Sequence, residues 1–351
     1  MNPPAAGHSG QDVLVSVLRE RAALRTLTEA QWSALFPAAE GARLLPRLAL
    51  DAERLGLTTA LPEWVRDRLL SAQVRGREYE RVVKWEINRI HRALLPIGLR
   101  PVLLKGAAYV AASLPSGVGR VVADVDILMS EKDIPRAEAA LREHGWEFAP
   151  LSAYDDRYYR QWMHELPPMR HRERGTMLDV HHRLLPKTGR VHPPTGRLLE
   201  KAVEVNGAAV LSPEHMLLHS AAHLFQDGAV AGALRDVLDL RDLLESFGEN
   251  PEFGGRLAEE ATALDLGRPL FYAVRYAAWL GRDPESRVVP DVSRPSRALL
   301  VLMDQLVTRT LMRPAGVLSS AGAFALYVRS HWLRMPMRQL LPHLITKALK
   351  K

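Results

Sequence analysis

The sequence predicts an α+β fold in which a small mixed sheet is flanked by N- and C-terminal helical regions. In residues 1–98 and again in 187–351, apolar residues recur mainly at helical spacing. Between them, residues 99–186 combine short β-branched runs with Gly and Pro turns, which is typical of strands. We therefore expect three regions with these boundaries: helical, αβ core and helical.

The composition is that of a globular protein without cysteine. The 351 residues include 47 Lys and Arg against 40 Asp and Glu, and 47 − 40 gives a net charge of +7. The absence of cysteine excludes disulfides, thiolate zinc sites, Fe–S clusters and a cysteine nucleophile. The basic excess would suit an anionic partner, nucleic acid included, but no dense Lys/Arg run supports one.

No apolar stretch of the sequence reaches the roughly 20 residues that a membrane span needs. Residues 1–11 are small and polar, without the apolar segment of a secretory signal. We therefore expect a cytoplasmic protein that makes no membrane contact.

The N-terminal region is expected to consist of amphipathic helices. Thr28 and Gln31 have the spacing of a capping box, just before the apolar residues of one such helix. The stretch 64–95 keeps the helical period over many turns and carries charges on one side. Its other side should therefore pack against the protein.

The core is expected to alternate short strands with helices. Lys105 and Gly106 close its first apolar run, and a helical stretch follows them. Ser130 is placed to cap a later helix, which Gly145 ends. By β-branched content, alternation and Gly turns, the predicted strands are 102–104, 120–129, 146–148 and a hairpin of 166–172 with 176–182.

The C-terminal region begins its helices with a strong start signal, the Ser-Pro-Glu sequence at 212–214. Apolar periodicity predicts helices at 214–225, 232–247, 253–264, 269–280, 297–311 and 336–349.

Asp124 and Asp126 are predicted to share one face of one strand. Alternate strand residues point the same way about 6.5–7 Å apart, and carboxylates that close raise each other's pKa. A divalent cation keeps such a pair ionised, and hard oxygen ligands suit Mg²⁺ or Mn²⁺. If the strand of Asp179 lies beside the first, three carboxylates converge and can hold two ions. The alternative is an Asp-x-Asp pair on a solvated sheet face.

These motifs resemble the uncharacterised bacterial nucleotidyltransferase family of the DNA polymerase β superfamily. The resemblance rests on Leu-Leu-Lys-Gly at 103–106, Arg120 before Asp-Val-Asp-Ile-Leu at 124–128, and Leu-Asp-Val-His-His at 178–182. A downstream helix with three histidines and the run 234–240 fit as well. Where the wider superfamily often has serine after the turn glycine, this chain has Ala107, so that hydroxyl is missing.

For the acids, the resemblance implies a two-metal centre. Asp124 and Asp126 would bind two Mg²⁺ (or Mn²⁺) ions. Asp179 would bind one of them and orient or deprotonate the hydroxyl of the acceptor.

For the nucleotide, the resemblance implies that Lys105 and Gly106 face the triphosphate of an NTP. The glycine would permit close approach of the backbone to phosphate. Arg120 would make forked contacts to phosphate or brace the carboxylates. His181 is predicted to share a strand face with Asp179, which makes it a further candidate for the nucleotide site.

The function implied is transfer of an NMP from an NTP to a hydroxyl, with release of pyrophosphate. The acceptor would be a small molecule, a peptide, a protein or an RNA end. The alternative is a catalytically inactive nucleotidyltransferase-like binding or scaffold protein, which the presence of all three acids disfavours.

Three other features allow two interpretations each. His215, His219 and His223 share a helix face and would bind zinc, or else His219 and His223 would pack in the core or support the site residues, which is favoured. Asp239 would either reach the nucleotide or pair with Arg235 four residues earlier, and pairing is favoured. The aromatic and basic segment of residues 154–162 would either stack a base or serve as an amphipathic connector, and the connector is favoured.

Overall fold

A mixed sheet packed among helices forms the centre of the protein, as a computed structural model shows. This confirms the predicted α+β class. The structure describes residues 9–57, 61–227, 230, 232–281, 293–312, 321–336 and 338.

The N-terminal region is helical as predicted. Its helices are α1 (Gly10–Arg19), α2 (Glu29–Gly41), α3 (Leu45–Arg54) and α4 (Glu63–Leu94). The capping box of α2 is present, because Gln31 N donates to Thr28 Oγ1 at 3.3 Å and Thr28 N donates to Gln31 Oε1 at 2.9 Å. These two bonds satisfy backbone donors that the helix start leaves unpaired.

Helix α4 runs for 32 residues and packs on the core with its apolar side. Val65, Leu69 and Ile90 on that side are buried. Glu86 is also buried, and Arg174 from the core compensates its charge with a forked contact at 2.9 Å and 3.0 Å. The one-sided burial predicted for this helix is therefore confirmed.

Strands of the described residues form a seven-stranded sheet in the order β3-β4-β5-β2-β1-β7-β6. The central pair, β2 and β5, is parallel, and β1 lies antiparallel to β2 on its other side. The strand bounds are β1 (Val102–Leu103), β2 (Asp124–Leu128), β3 (Trp146–Phe148), β4 (Met169–His171), β5 (Met177–His181), β6 (Val203–Val205) and β7 (Ala208–Val210).

The predicted strand at 146–148 and the predicted hairpin are confirmed. Strands β4 and β5 pair antiparallel, and Gly175 in their turn has a φ of +71°, which glycine adopts without strain. The region expected to be helical from 187 onward needs a correction, because β6 and β7 form a second hairpin there. Asn206 and Gly207 both have positive φ in its turn, the geometry that Asn-Gly favours.

Strand β7 joins the sheet by pairing in parallel with β1. The αβ sheet therefore draws on residues beyond the predicted core. The short strands lacked a long periodic signal, which is why helical periodicity around them dominated the prediction.

The remaining helices surround the sheet. They are α5 (Lys105–Ala111), α6 (Ile134–Glu143), α7 (Ala153–Trp162), α8 (Thr195–Glu200), α9 (Pro213–Ala222), α10 (Leu234–Phe247), α11 (Phe253–Ala263), α12 (Gly267–Leu280), α13 (Arg297–Leu311) and α14 (Ala321–Arg334). Ser212 caps α9 by accepting from His215 N at 3.3 Å, as its start signal predicted. The helix predicted at 336–349 lies outside the described residues except at 336 and 338.

Within the described part of the chain, none of the helices is both long enough and apolar enough to cross a membrane.

Candidate active site

The three predicted acids meet on one face of the central strand pair. Strands β2 and β5 run parallel with Asp126 directly opposite Asp179. Residues in register point to the same side of a sheet, and so do residues two positions apart. Asp124, Asp126, Asp179 and His181 therefore share one face.

This face forms the floor of an open cavity of about 430 Å³. Among the predicted site residues, His181 alone does not line the cavity; it is buried next to Asp126. The others line the cavity and are Lys105, Gly106, Arg120, Asp124, Asp126 and Asp179.

Asp126 is held by two cationic or hydrogen-bonding side chains at one oxygen. Lys105 Nζ lies 3.1 Å from Asp126 Oδ1, and His181 Nε2 lies 3.0 Å from the same atom. Because a carboxylate only accepts, both nitrogens donate. Burial alone would raise the pKa of Asp126, but the Lys105 ammonium and the His181 hydrogen bond outweigh it and hold that pKa well below its ordinary value.

Asp179 has the opposite environment. Its Oδ1 is buried and has no hydrogen-bond partner in the described structure. Burial, followed by the nearby Glu165 and Asp126 carboxylates, raises the pKa of Asp179 to about 7. Partial removal from water, followed by the charge of Asp126, also raises the pKa of Asp124. Negative charge in the floor thus exceeds the positive charge that Lys105 supplies.

Glu165 is a site residue that the sequence prediction missed. It lines the cavity beside the three aspartates, held by a backbone bridge to His181. Its position just before the first run of the predicted hairpin was the available signal. That signal was weak, because a single Glu at the start of an extended run is usually solvated.

Lys105 and Gly106 adopt the tight geometry at the end of β1 that their order suggested. Lys105 has a φ of +43°, a left-handed conformation that costs a non-glycine residue about 1–2 kcal/mol. Such strain is tolerated where surrounding structure fixes the residue, and it is concentrated at functional sites. Here it accompanies the contact between the lysine ammonium and Asp126.

A neighbouring side chain requires glycine at position 106. A Cβ at this position would lie 2.7 Å from Arg120 Nε and 3.3 Å from Val122 Cγ2. Arg120 crosses the glycine at close range, with its guanidinium 5.1 Å from the centroid of the Tyr109 ring. In the structure it is Arg120 that makes a close approach at Gly106.

The prediction that Asp239 pairs with Arg235 is wrong. Its carboxylate forms a buried ion pair with Arg120, while Arg235 donates instead to the carbonyl of Val121 at 3.0 Å. Arg120 braces α10 against the loop before β2, so it does not brace the floor carboxylates directly. Arg43, Arg235 and Arg334 line the cavity too, which gives it a basic rim above an acidic floor.

The histidines of α9 and the turn after it separate in the structure. His215 is fully buried and lies 2.7 Å from Glu260, outside the cavity wall. His219 is buried, and burial followed by the Lys105 charge holds its pKa well below the ordinary value. His223 lines the cavity. These positions favour the packing interpretation for His215 and His219.

The family model of the uncharacterised nucleotidyltransferases matches residues 28–282. The chain belongs to this family. The match confirms the resemblance that the motifs suggested. It spans the whole cavity floor, from Lys105 to His181, and it ends before α13 and α14.

This chain is also similar to two solved structures from Helicobacter pylori. JHP933 shares 14% identity at a TM-score of 0.32, with 79% of this chain and 98% of that chain covered. A candidate nucleotidyltransferase shares 12% identity at a TM-score of 0.31, with 72% and 96% covered. A search of curated proteins gave no match.

Proposed function

We propose that the protein is a metal-dependent nucleotidyltransferase that moves an NMP from an NTP to the hydroxyl of an acceptor. The observation that carries this proposal is the convergence of Asp124, Asp126 and Asp179 on one face of the cavity floor. The acceptor is proposed only by its reacting group, a hydroxyl on a small molecule, peptide, protein or RNA end.

The floor has the properties of a divalent-cation site. Asp179 Oδ1 is buried without a partner in the described structure, and burial, followed by the neighbouring carboxylates, raises the pKa of Asp179. A cation would supply the missing partner and neutralise the repulsion. The donors are all carboxylate oxygens, which suit Mg²⁺ or Mn²⁺. Asp124, Asp126 and Asp179 would hold these ions.

The upper part of the cavity suits a triphosphate. Arg43 and Arg235 stand at the rim, and guanidinium groups match phosphate oxygens with forked contacts. Lys105 lines the same cavity with its Nζ 3.1 Å from Asp126 Oδ1, and its ammonium would offer a point charge to phosphate. An acidic floor that attracts cations below a rim that attracts anions fits a metal–nucleotide complex better than either component alone.

In the proposed reaction the acceptor oxygen forms a bond to the α-phosphorus, and the bond from that phosphorus to the bridging oxygen breaks. Pyrophosphate leaves, and the proton of the acceptor hydroxyl passes to the carboxylate of Asp179. Bound divalent ions would neutralise charge on the entering and leaving oxygens. Lys105 would stabilise charge on the phosphates, and Arg120 would position Lys105 by packing across Gly106.

The test compares Asp124→Asn with Asp236→Asn. Both aspartates line the cavity, Asp124 exposed and Asp236 half-buried, but Asp236 lies outside the acidic floor. Each of the four labelled NTPs is supplied with Mg²⁺ or Mn²⁺ and cell extract, and mass spectrometry identifies any product that gains a nucleotide. We expect turnover to require the ion, to be lost in Asp124→Asn and to persist in Asp236→Asn.

Binding of NTP measured by calorimetry supplies a readout that needs no acceptor. We expect added Mg²⁺ to tighten binding in the parent protein and not in Asp124→Asn. Equal Mg²⁺ dependence in the two proteins would contradict the metal assignment. Absence of NTP binding by the parent protein would favour the inactive-scaffold alternative.

A further inference from the structure

We propose that His164, Glu165 and His181 form a transition-metal site of the zinc class beside the acidic floor. This site differs from the proposed Mg²⁺ or Mn²⁺ positions in its donors, since two of its three ligands are imidazole nitrogens. It does not depend on the proposed transfer reaction.

The spacing of the donor atoms fits a tetrahedral ion. One ligand atom from each residue lies within 4.8 Å of the others. Glu165 Oε2 is 3.4 Å from His181 Nε2 and 3.8 Å from His164 Nε2. Two ligands bound to zinc at roughly 2.0–2.1 Å in tetrahedral geometry lie about 3.4 Å apart. The three side chains therefore stand close to ligand separation already.

The backbone and packing hold these side chains in place. Glu165 and His181 face each other across an antiparallel backbone bridge, and His182 N donates to the carbonyl of His164 at 2.9 Å. Both imidazoles are buried, and their ring centroids are 5.1 Å apart. His181 Nδ1 has no partner in the described structure although it is buried. A pre-arranged pair of buried imidazoles lowers the cost of binding an ion.

A fourth ligand is within reach. Asp126 Oδ1 lies 3.0 Å from His181 Nε2, so the same ion could take Asp126 or a water as its fourth ligand. Glu165 and Asp126 together carry two negative charges, which balance a divalent ion, while Lys105 offsets part of that charge at 3.1 Å from Asp126. The net local charge still favours a cation.

The donor types select the ion. Imidazole nitrogen suits Zn²⁺ and its neighbours in the transition series, whereas Mg²⁺ takes oxygen ligands in octahedral geometry. A carboxylate with two histidines is a donor set that leaves an open position on zinc. Because His181 Nε2 donates to Asp126 in the structure described, it must release that proton when it binds the ion.

The test uses Co²⁺ as a visible probe and Zn²⁺ as its competitor on the full-length protein freed of metal. Tetrahedral Co²⁺ with nitrogen ligands absorbs strongly in the visible range, and Zn²⁺ should displace it. We expect His164→Gln and His181→Gln each to weaken Zn²⁺ binding about a hundredfold or more, because outer partners of a metal ligand alone contribute 10–100-fold. His182→Gln is the matched control, being a buried histidine next in sequence that is not one of the three donors.

Asp124→Asn separates the two metal proposals. Loss of Co²⁺ absorption in His164→Gln and His181→Gln, with retention in Asp124→Asn and His182→Gln, supports the site. Binding that survives both histidine variants, or that Asp124→Asn abolishes while His164→Gln does not, would overturn it. If a histidine variant does not fold, X-ray absorption of the Zn²⁺-loaded parent decides, since a first shell with fewer than two imidazoles is incompatible with the proposal.

Discussion

Gly106→Ala tests whether the turn at Lys105 and Gly106 depends on the packing of Arg120. A Cβ at Gly106 would lie 2.7 Å from Arg120 Nε and 3.3 Å from Arg120 Cδ. Arg120 has little freedom to withdraw, because Asp239 pairs with its guanidinium and Tyr109 lies against it. Overpacking of this kind costs about 1–3 kcal/mol.

The location of Gly106 in a helix has the opposite effect on the stability of the alanine variant. Gly106 is the second residue of α5, and replacement of a helical glycine by alanine stabilises by up to about 1 kcal/mol. Gly254 is the second residue of α11 and has nothing within 4 Å of an added Cβ, so it isolates this gain. The expected difference in unfolding free energy between Gly106→Ala and Gly254→Ala is therefore the overpacking term, about 1–3 kcal/mol.

Denaturation by urea, followed by circular dichroism, measures that difference. We expect Gly254→Ala to be at least as stable as the parent protein and Gly106→Ala to be less stable than Gly254→Ala. If the two variants have the same urea midpoint and the same slope, Arg120 is free to move aside. That result would refute the reasoning.

Further predictions concern the charges. Asp239→Ala leaves Arg120 buried without its partner and should lower the unfolding free energy by about 3–5 kcal/mol; adding Arg120→Met should restore part of this loss, and no recovery in denaturation midpoint would count against the pair. Arg197, with further donors, holds the pKa of Glu260 well below its ordinary value, so its stabilisation is present above the unfolded pKa and is lost as pH falls through the folded pKa. Glu260→Gln should therefore flatten the fall in melting temperature below about pH 5, and an unchanged slope would refute this. Lys105→Ala should weaken NTP affinity by about 10–100-fold through loss of a charged hydrogen bond; calorimetry showing unchanged affinity in a folded variant would remove Lys105 from the site.

Much of the acidic floor was predictable because strand geometry is local. Asp124 and Asp126 share a face through the two-residue period of a strand, and His181 follows Asp179 by the same rule. The turn signal at Gly175 also allowed the pairing of β4 with β5 to be predicted. The Asn206-Gly207 turn carried an equally local signal, which the surrounding helical periodicity obscured.

Other parts of the site required the packed structure. Glu165 enters the floor only because its short extended segment forms a bridge with His181. Asp239 lies 119 residues from Arg120 in the chain, and the pair exists because α10 docks against the loop before β2. From the local sequence, Asp239 was expected to pair with Arg235, four residues away. Instead it pairs with Arg120, because both of these charges are buried where the helix meets the loop.

The amino-acid order by itself determined the α+β class, the paired acids on one strand face and the turn at Lys105 and Gly106. These follow from backbone stereochemistry and side-chain period over a few neighbouring residues. Only the tertiary structure decided that β5 lies beside β2, that β7 extends the sheet next to β1, and that Arg120 crosses Gly106. Strand order and buried charge pairs depend on which distant surfaces exclude water from each other, and no local period encodes that choice.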